Sequence, residues 1–214
     1  MHREFGRLLT NARGVSEHVV AAIIDIRDFS RFSSNRDSAE VGLFIKTVYI
    51  KMLGYFTDLI FFKPTGDGLL VIRGCNDQNP VYLVVSEMMT GALQVLEAFP
   101  SMCNSNIEPL INFDVPQQVG IGMTRGAVSC LQSGGKTLDY SGTVLNRCAR
   151  LMDLARPSGI VFDRDLGIQV VPIDYQKRFQ QDNVYIRGVT DKPVEVYHTS
   201  DVQIPDDRRQ PIPG

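Results

Sequence analysis

The sequence has no tryptophan, only three histidines and only four cysteines among its 214 residues. The histidines are far apart in the chain, so a histidine-based metal site is not expected. No two cysteines form a closely spaced pair of the kind that binds zinc or catalyses redox exchange. We expect reduced, mostly buried thiols in a cytoplasmic protein: Cys75, Cys103, Cys130 and Cys148.

Long hydrophobic runs and an excess of one charge are missing as well. The apolar runs at 19–26 and 81–89 are interrupted well before the about 20 residues that cross a bilayer, and no signal peptide is recognisable. The 22 basic and 24 acidic residues give a net charge of −2, whereas nucleic-acid binding needs a basic surface. We therefore expect neither a membrane nor a nucleic acid as partner.

What is present is the composition of a folded domain, with 43% hydrophobic and 21% charged residues. Apolar spacing predicts alternating strands and helices, with a long loop at 100–116. The order β-α-β-β-α-β at the front predicts an α+β fold with a ferredoxin-like core and an extended sheet. The predicted strands are 19–26, 59–63, 69–73, 117–124 and 127–131 (around a turn at Gly126), 160–162, 170–172, 183–187 and 194–198, and the predicted helices are 38–58, 82–99 and 142–155.

Two aspartates are predicted to meet at one edge of this sheet. Asp25 ends the first strand, and Asp67 lies in the turn Thr65-Gly66-Asp67-Gly68 that starts the third. Strands one and three are antiparallel neighbours in a ferredoxin-like sheet, so the two carboxylates converge and repel each other unless a cation lies between them. Magnesium suits such oxygen ligands, to which the carbonyl of Ile26 adds. For Asp67 alone, an ordinary Asp-Gly surface turn is an equally good interpretation.

Asn146 and Arg150 are four residues apart and share one face of the predicted helix 142–155. Their stripe is typical of a solvated helix surface. The alternative is an amide and a guanidinium directed at a reacting nucleotide, because arginine has a fixed donor fork that suits phosphate.

Several motifs together resemble the class III nucleotidyl cyclase catalytic domain, the family of adenylate and guanylate cyclases. The resemblance covers residues 18–199 and divides the chain into an N-terminal segment 1–17, a catalytic domain 18–199 and a flexible tail 200–214. The motifs are IDIRDFS at 24–30 (with Asp28 where glycine is usual), KPTGDG at 63–68, VGIGM at 119–123 with GAV at 126–128 (similar to the family's central hairpin), and DYSGTVLNRCAR at 139–150.

This resemblance implies a head-to-tail homodimer that converts a nucleoside triphosphate to a 3′,5′-cyclic nucleotide and pyrophosphate. Asp25, Ile26 and Asp67 of one subunit would hold two Mg²⁺ or Mn²⁺ ions. Asn146 of the other subunit would orient the ribose, and its Arg150 would stabilise charge on the transferring phosphate.

The resemblance also implies a set of substrate-binding residues. Phe29 and its neighbours would offer backbone N–H groups to the triphosphate, and Arg187 takes the place of a phosphate-binding lysine. Lys63 and Asp139 occupy the two positions that read the base; adenylate cyclases typically carry this pair there, and guanylate cyclases carry Glu and Cys. Tyr49 is a candidate wall that would crowd a purine, with ordinary core packing as the alternative.

The chain looks most similar to the stand-alone pyrimidine cyclases of bacterial Pycsar anti-phage systems. That likeness implies UTP ahead of CTP as substrate, and cyclic UMP or cyclic CMP as a second messenger in antiviral defence, read by a separate effector protein. An adenylate cyclase making cyclic AMP is the alternative, followed by a non-catalytic homologue.

Two other classes of protein on related folds fit less well. Diguanylate cyclases carry a Gly-Gly-Asp/Glu-Glu-Phe turn where this chain has Thr65-Gly66-Asp67-Gly68. A ferredoxin-like RNA-binding module needs exposed aromatic residues on its strands and a basic surface, and the front strands here are apolar.

Overall fold

The computed structural model describes residues 3–34, 36–104, 114–186 and 188–211. It consists of one mixed sheet with helices on both faces, and two short 3₁₀ turns at Ile168–Val170 and Asp206–Arg208. The strands are β1 (Arg13–Ile26), β2 (Phe61–Pro64), β3 (Gly68–Gly74), β4 (Val119–Ser133), β5 (Lys136–Ser141), β6 (Gly159–Asp163), β7 (Phe179–Val184) and β8 (Val194–Thr199). The helices are α1 (Arg3–Thr10), α2 (Phe29–Ser33), α3 (Ser38–Leu53), α4 (Val81–Asn104), α5 (Thr143–Leu154) and α6 (Ile173–Gln176).

The sheet has the order β2-β3-β1-β4-β6-β8-β7, and β5 pairs with β4 outside this path. Its front half, β2-β3-β1-β4, is connected through α3 and α4 and has the strand order of a ferredoxin-like core. The predicted α+β class, the ferredoxin-like core and the extended sheet are confirmed.

The side chains of β1 alternate between two apolar layers, because successive residues of a strand face opposite sides of the sheet. Val20, Ala22, Ile24 and Ile26 pack with α3 and α4 in the first core cluster. Helix α4 has 24 residues and is apolar enough to cross a membrane by length and composition, but here eleven of its residues are buried in the domain.

The opposite layer of β1 contributes Val19 and Ala21 to a second core cluster, which α5 covers with Val144 and Cys148. Helix α5 approaches the sheet at Gly122, where an added Cβ would lie 2.2 Å from the backbone nitrogen of Met152. The absence of a side chain at this position therefore sets how closely α5 packs on β4.

A third core cluster lies under the far strands. It contains Leu151 and Leu154 of α5 and Val196 of β8, together with Val202 and Ile204 from the segment that the sequence assigns to the tail. The backbone N–H of Tyr185 also donates to the carbonyl of Arg208 at 2.7 Å.

The predicted hairpin around Gly126 is wrong, because β4 is one continuous strand. β1 is also longer than predicted, and the two pair from Ile26↔Val119 to Arg13↔Gln132 without a break. Gly126 lies opposite Val19 within this ladder, where the side chain of Val144 comes within 2.8 Å of an added Cβ. The glycine serves close helix packing, not chain reversal.

Several predicted boundaries also differ from the structure. The helix predicted at 38–58 ends at Leu53, and the one predicted at 82–99 continues through Pro100 to Asn104. The strand predicted at 170–172 is replaced by the 3₁₀ turn, and that at 183–187 overlaps only the end of β7. Of the predicted loop, residues 105–113 lie outside the described residues. Helix α1 and strand β5 were not predicted.

Candidate active site

Asp25 and Asp67 lie side by side at one edge of the sheet. Asp25 pairs with Gly68 in the antiparallel ladder of β1 and β3. The backbone N–H of Ile26 donates to the carbonyl of Asp67 at 3.0 Å, so the two acidic residues belong to adjacent backbones. This is the juxtaposition that the sequence predicts.

The turn that carries Asp67 is held in a tight conformation by its glycines. Gly66 has a φ of +94°, which is readily accessible only to glycine, and the N–H of Thr65 donates to the carbonyl of Gly68 at 2.9 Å. A Cβ on Gly68 would lie 2.4 Å from the carbonyl oxygen of Ile24. The backbone thus fixes the position of Asp67 relative to β1.

The charge of Asp25 is only partly compensated. Burial raises the pKa of its carboxyl and the negative charge of Asp67 raises it further, whereas Arg27 and Arg156 act in the opposite direction. Two carboxylates so placed attract a cation.

Arg27 is a member of this site that sequence reasoning did not single out. Its side chain is 4% exposed and forms an ion pair with Asp25. It also donates to the carbonyls of Met152 and Ala155, both at 2.7 Å, at the C-terminal end of α5. Gly120 leaves the space that the Arg27 side chain occupies, because a Cβ there would lie 1.7 Å from an Arg27 nitrogen.

The donor set of the acidic pair fits a hard divalent cation. Two carboxylates and the carbonyl of Ile26 are oxygen ligands of the kind that Mg²⁺ and Mn²⁺ take, with substrate phosphates and water completing the shell. Within the described part of the chain no three His, Cys, Asp or Glu side chains form a metal cage. These oxygen donors amount to part of a coordination shell for such an ion, not to a complete one.

Lys63 and Asp139, predicted to read the base, form an ion pair with a distance of 2.6 Å between Nζ and Oδ2. Lys63 is on β2 and Asp139 is on β5. Below this pair the rings of Phe61 and Tyr140 meet edge to face at 5.1 Å, and the N–H of Tyr140 donates to the other oxygen of Asp139 at 2.9 Å. The pair is exposed and thus accessible to a ligand.

Tyr49 lies beside the acidic turn. It packs against the first core cluster, and its hydroxyl donates to the carbonyl of Gly66 at 2.6 Å. Burial and the charge of Asp67 raise its pKa to about 12. Lys63 pairs with Leu70, which belongs to the second core cluster on the other face of the sheet. The structure thus brings Tyr49 to the acidic turn and not to the base-reading pair of the same protomer.

Asn146 and Arg150 lie on the outer face of α5. Both are exposed, and the nearest described charge to Arg150 is Asp153 at 3.5 Å. Cys148 and Met152 face the sheet at Gly122. Because each residue of an α-helix turns by about 100°, Asn146 and Arg150 each lie about 200° around the helix from Cys148 and point away from the sheet that carries Asp25. Within one protomer the acids and this pair do not meet.

Of the remaining predicted residues, Phe29 lies close to Asp25 in the chain. Phe29 begins α2 directly after the acidic strand, is half-buried, and contacts Phe32 with ring centroids 5.9 Å apart. Arg187 lies outside the described residues.

The arrangement can perform metal-assisted chemistry on a phosphorylated ligand. The acid pair is suited to a divalent cation, and the exposed stripe of α5 offers an amide and a guanidinium, which suit a sugar hydroxyl and a phosphate. The Lys63–Asp139 pair offers one donor and one acceptor to a heterocyclic base.

Comparison with solved structures places this architecture among the class III cyclases. The adenylyl cyclase CyaB from P. aeruginosa has a TM-score of 0.64 at 13% identity, over 89% of this chain and 97% of that one. The guanylyl cyclase Cya2 has a TM-score of 0.66 at 20% identity, over 89% and 95%. The guanylate cyclase domain of RhGC from Catenaria anguillulae, solved in complex with GTP, has a TM-score of 0.63 at 15% identity, over 88% and 100%.

No protein-family model and no curated protein matches the sequence. At these identities the likeness concerns the fold: this chain has the α+β fold of class III cyclase catalytic domains.

Proposed function

We propose that this protein is a metal-dependent nucleotidyl cyclase that converts a nucleoside triphosphate to a 3′,5′-cyclic nucleotide and pyrophosphate. The observation that carries the proposal is the juxtaposition of Asp25 and Asp67 at the end of β1, where the N–H of Ile26 donates to the carbonyl of Asp67 at 3.0 Å. The fold shared with adenylyl and guanylyl cyclases supports it.

In this mechanism Asp25, Asp67 and the carbonyl of Ile26 hold two divalent cations, Mg²⁺ or Mn²⁺. When bound, these ions polarise the α-phosphate and lower the pKa of the ribose 3′-hydroxyl. The backbone near Phe29 and the side chain of Arg187 bind the triphosphate. Lys63 and Asp139 bind the base.

Two further side chains complete the reaction. The amide of Asn146 orients the ribose so that its 3′-oxygen is aligned with the α-phosphorus. Arg150 donates to the oxygens of the transferring phosphoryl group as their charge grows. The 3′-oxygen forms a bond to the α-phosphorus, the bond to the pyrophosphate oxygen breaks, and the hydroxyl proton passes to solvent.

The working unit is a head-to-tail homodimer with two active sites in its interface. Asn146 and Arg150 face away from the acids of their own protomer, as the helix geometry above requires. A second copy, related by a two-fold axis, would present its α5 to those acids, and the same contact would be formed twice.

The proposed substrate is a pyrimidine nucleotide, UTP ahead of CTP, as in the stand-alone cyclases that the sequence resembles. The product would then be a second messenger of antiviral defence in the bacterial cytoplasm, read by a separate effector protein. The alternative is ATP, which the Lys63–Asp139 ion pair favours because adenylate cyclases typically carry these two residue types at the base.

The decisive experiment is incubation of the purified protein with each of the four ribonucleoside triphosphates and either Mg²⁺ or Mn²⁺. We expect cyclic UMP as the main product, identified by mass spectrometry, and no product without metal. Cyclic AMP as the main product would replace the pyrimidine assignment with the alternative. Absence of every cyclic nucleotide would contradict the cyclase assignment itself.

A further inference from the structure

We propose that Arg27, together with Arg156, is the internal counter-charge of the acid pair, so that divalent cations bind tightly only together with an anionic nucleotide. This inference rests on the metal site of the proposed function. It assigns a positioning role to Arg27, whose buried guanidinium forms an ion pair with Asp25 when no metal is bound.

The contacts of Arg27 show a site formed around its side chain. One nitrogen pairs with the Asp25 carboxylate, and another donates to the carbonyls of Met152 and Ala155, each at 2.7 Å. The guanidinium passes over Gly120, at a position where any other residue would collide with it. Its position is therefore fixed from three sides.

Arg156 provides a second positive charge nearby. It is exposed, its charge lowers the pKa of the Asp25 carboxyl, and it lines the same open cavity of about 350 Å³ as Arg27. In the described part of the chain its side chain has no hydrogen bond or ion pair. Two guanidinium groups thus act against the negative charge of Asp25.

A bare divalent cation gains little at such a site. An ion bound to the free oxygen of Asp25 would share that carboxylate with Arg27 and be repelled by it, and Coulomb repulsion at this range exceeds the benefit of a fixed carboxylate rotamer. A triphosphate reverses the balance, because its negative charge offsets the guanidinium groups. Metal and nucleotide are then expected to bind cooperatively.

The test compares Mn²⁺ binding by the whole protein and by the variant Arg27→Gln, measured by electron paramagnetic resonance without nucleotide. The variant should bind Mn²⁺ at least about tenfold more tightly, because one opposing charge is lost. Arg27→Lys retains the charge and should remain near the wild-type affinity. A non-hydrolysable triphosphate analogue should tighten Mn²⁺ binding more in the wild type than in Arg27→Gln.

The matched control is Arg73→Gln. Arg73 is similarly buried, at 3% exposed, lies in the same sheet and pairs with Asp58 and Glu87, away from the acid pair. Its loss should lower thermal stability to a similar extent and leave Mn²⁺ affinity unchanged. If Arg27 had a purely structural role, Arg27→Gln and Arg73→Gln would both lower thermal stability and both leave Mn²⁺ affinity unchanged.

Equal or weaker Mn²⁺ binding by Arg27→Gln would overturn the inference. If that variant does not fold, Arg156→Gln replaces it, since Arg156 is exposed; binding about threefold tighter supports the proposal, and unchanged binding contradicts it. Cyclic nucleotide formation with unaltered Mn²⁺ affinity would refute only this inference. The predicted Mn²⁺ response without any cyclase product would refute only the proposed function, and no Mn²⁺ binding in any form would refute both.

Discussion

The hydroxyl of Tyr49 links α3 to the acidic turn. Its hydrogen bond to the carbonyl of Gly66 spans 2.6 Å, and its raised pKa of about 12 keeps the hydroxyl protonated as a donor at physiological pH. Tyr49 therefore acts on the orientation of the turn that carries Asp67.

Replacing Tyr49 by phenylalanine should remove this hydrogen bond and keep the ring packing. We expect a loss of about 1 kcal/mol in the free energy of unfolding and a higher Mn²⁺ concentration for half-maximal activity, because Asp67 is held less firmly. Urea denaturation and metal titration of the rate measure the two effects. Tyr82→Phe is the control, since Tyr82 is 63% exposed. A variant with unchanged metal requirement would restrict Tyr49 to packing.

Replacing Asp67 by alanine should abolish turnover and leave the domain folded. The Asp67 side chain forms no hydrogen bond or ion pair among the described residues, and its removal relieves repulsion with Asp25. Circular dichroism should show an unchanged or slightly higher melting temperature, while product formation falls below detection. Asp77→Ala, at an exposed turn position, should keep full activity. Turnover at the wild-type rate by Asp67→Ala would remove this residue from the metal site.

The sequence was sufficient to identify the acid pair but not Arg27. Asp25 ends an apolar strand and Asp67 lies in a glycine turn, so local pattern and strand order together predict their contact. The partners of Arg27 at Met152 and Ala155 are about 125 residues away in the chain, and no local pattern reports such a contact. The pKa of Asp25 likewise depends on residues that are distant in the chain, Asp67 and Arg156.

At the scale of elements, the position of α5 depends on two glycines of β4. Gly122 admits the backbone of α5 at Cys148 and Met152, and Gly126 admits the side chain of Val144. Since Asn146 and Arg150 are carried by this helix, their position follows from the absence of side chains on the strand beneath.

An alanine at Gly122 should displace α5. The added Cβ would lie 2.2 Å from the nitrogen of Met152 and 2.3 Å from the carbonyl oxygen of Cys148, both of which are backbone atoms that cannot rotate away. We expect a loss of about 3 kcal/mol in the free energy of unfolding and a large fall in kcat. Unfolding in urea and steady-state kinetics measure the two.

The control for this substitution is Gly42→Ala in α3, where nothing lies within 4 Å of an added Cβ. There alanine should stabilise the protein by about 0.5–1 kcal/mol, because it favours the helix more than glycine does. Equal effects of the two substitutions would mean that α5 is not seated on Gly122.

The strand pattern explains which elements could be predicted. The buried strand at 19–26 and the helices α3, α4 and α5 have clear apolar periodicity. Residues 13–18 of β1 are polar or exposed, and β5 is buried only at Tyr140, so their pairing depends on neighbours more than on their own composition. Gly126 was interpreted as a turn residue because its packing role depends on Val144, which the local sequence does not reveal.

At the scale of the molecule, the candidate catalytic residues lie on two different faces of one protomer, so the proposed reaction would need two copies of the chain. The acids lie at the sheet edge, whereas Asn146 and Arg150 point outward from α5. A single protomer therefore carries two half-sites of different composition.

Mixing two inactive variants tests this arrangement. Asp67→Ala and Asn146→Ala should each be inactive alone, whereas equal amounts, allowed to exchange subunits, should recover about a quarter of the wild-type activity, because half of the dimers then contain one intact site out of two. Two copies of the same variant mixed at the same total concentration are the control. No recovery despite verified subunit exchange would contradict a shared site.

The long ladder between β1 and β4 also affects how the chain acquires its structure during synthesis. About a hundred residues separate each residue of β1 from its partner on β4, so β1 leaves the ribosome well before β4, one of its two neighbours in the sheet. Folds dominated by such distant pairings form slowly and expose unsatisfied strand edges meanwhile. A nascent chain of this protein is therefore expected to depend on chaperones until β4 emerges.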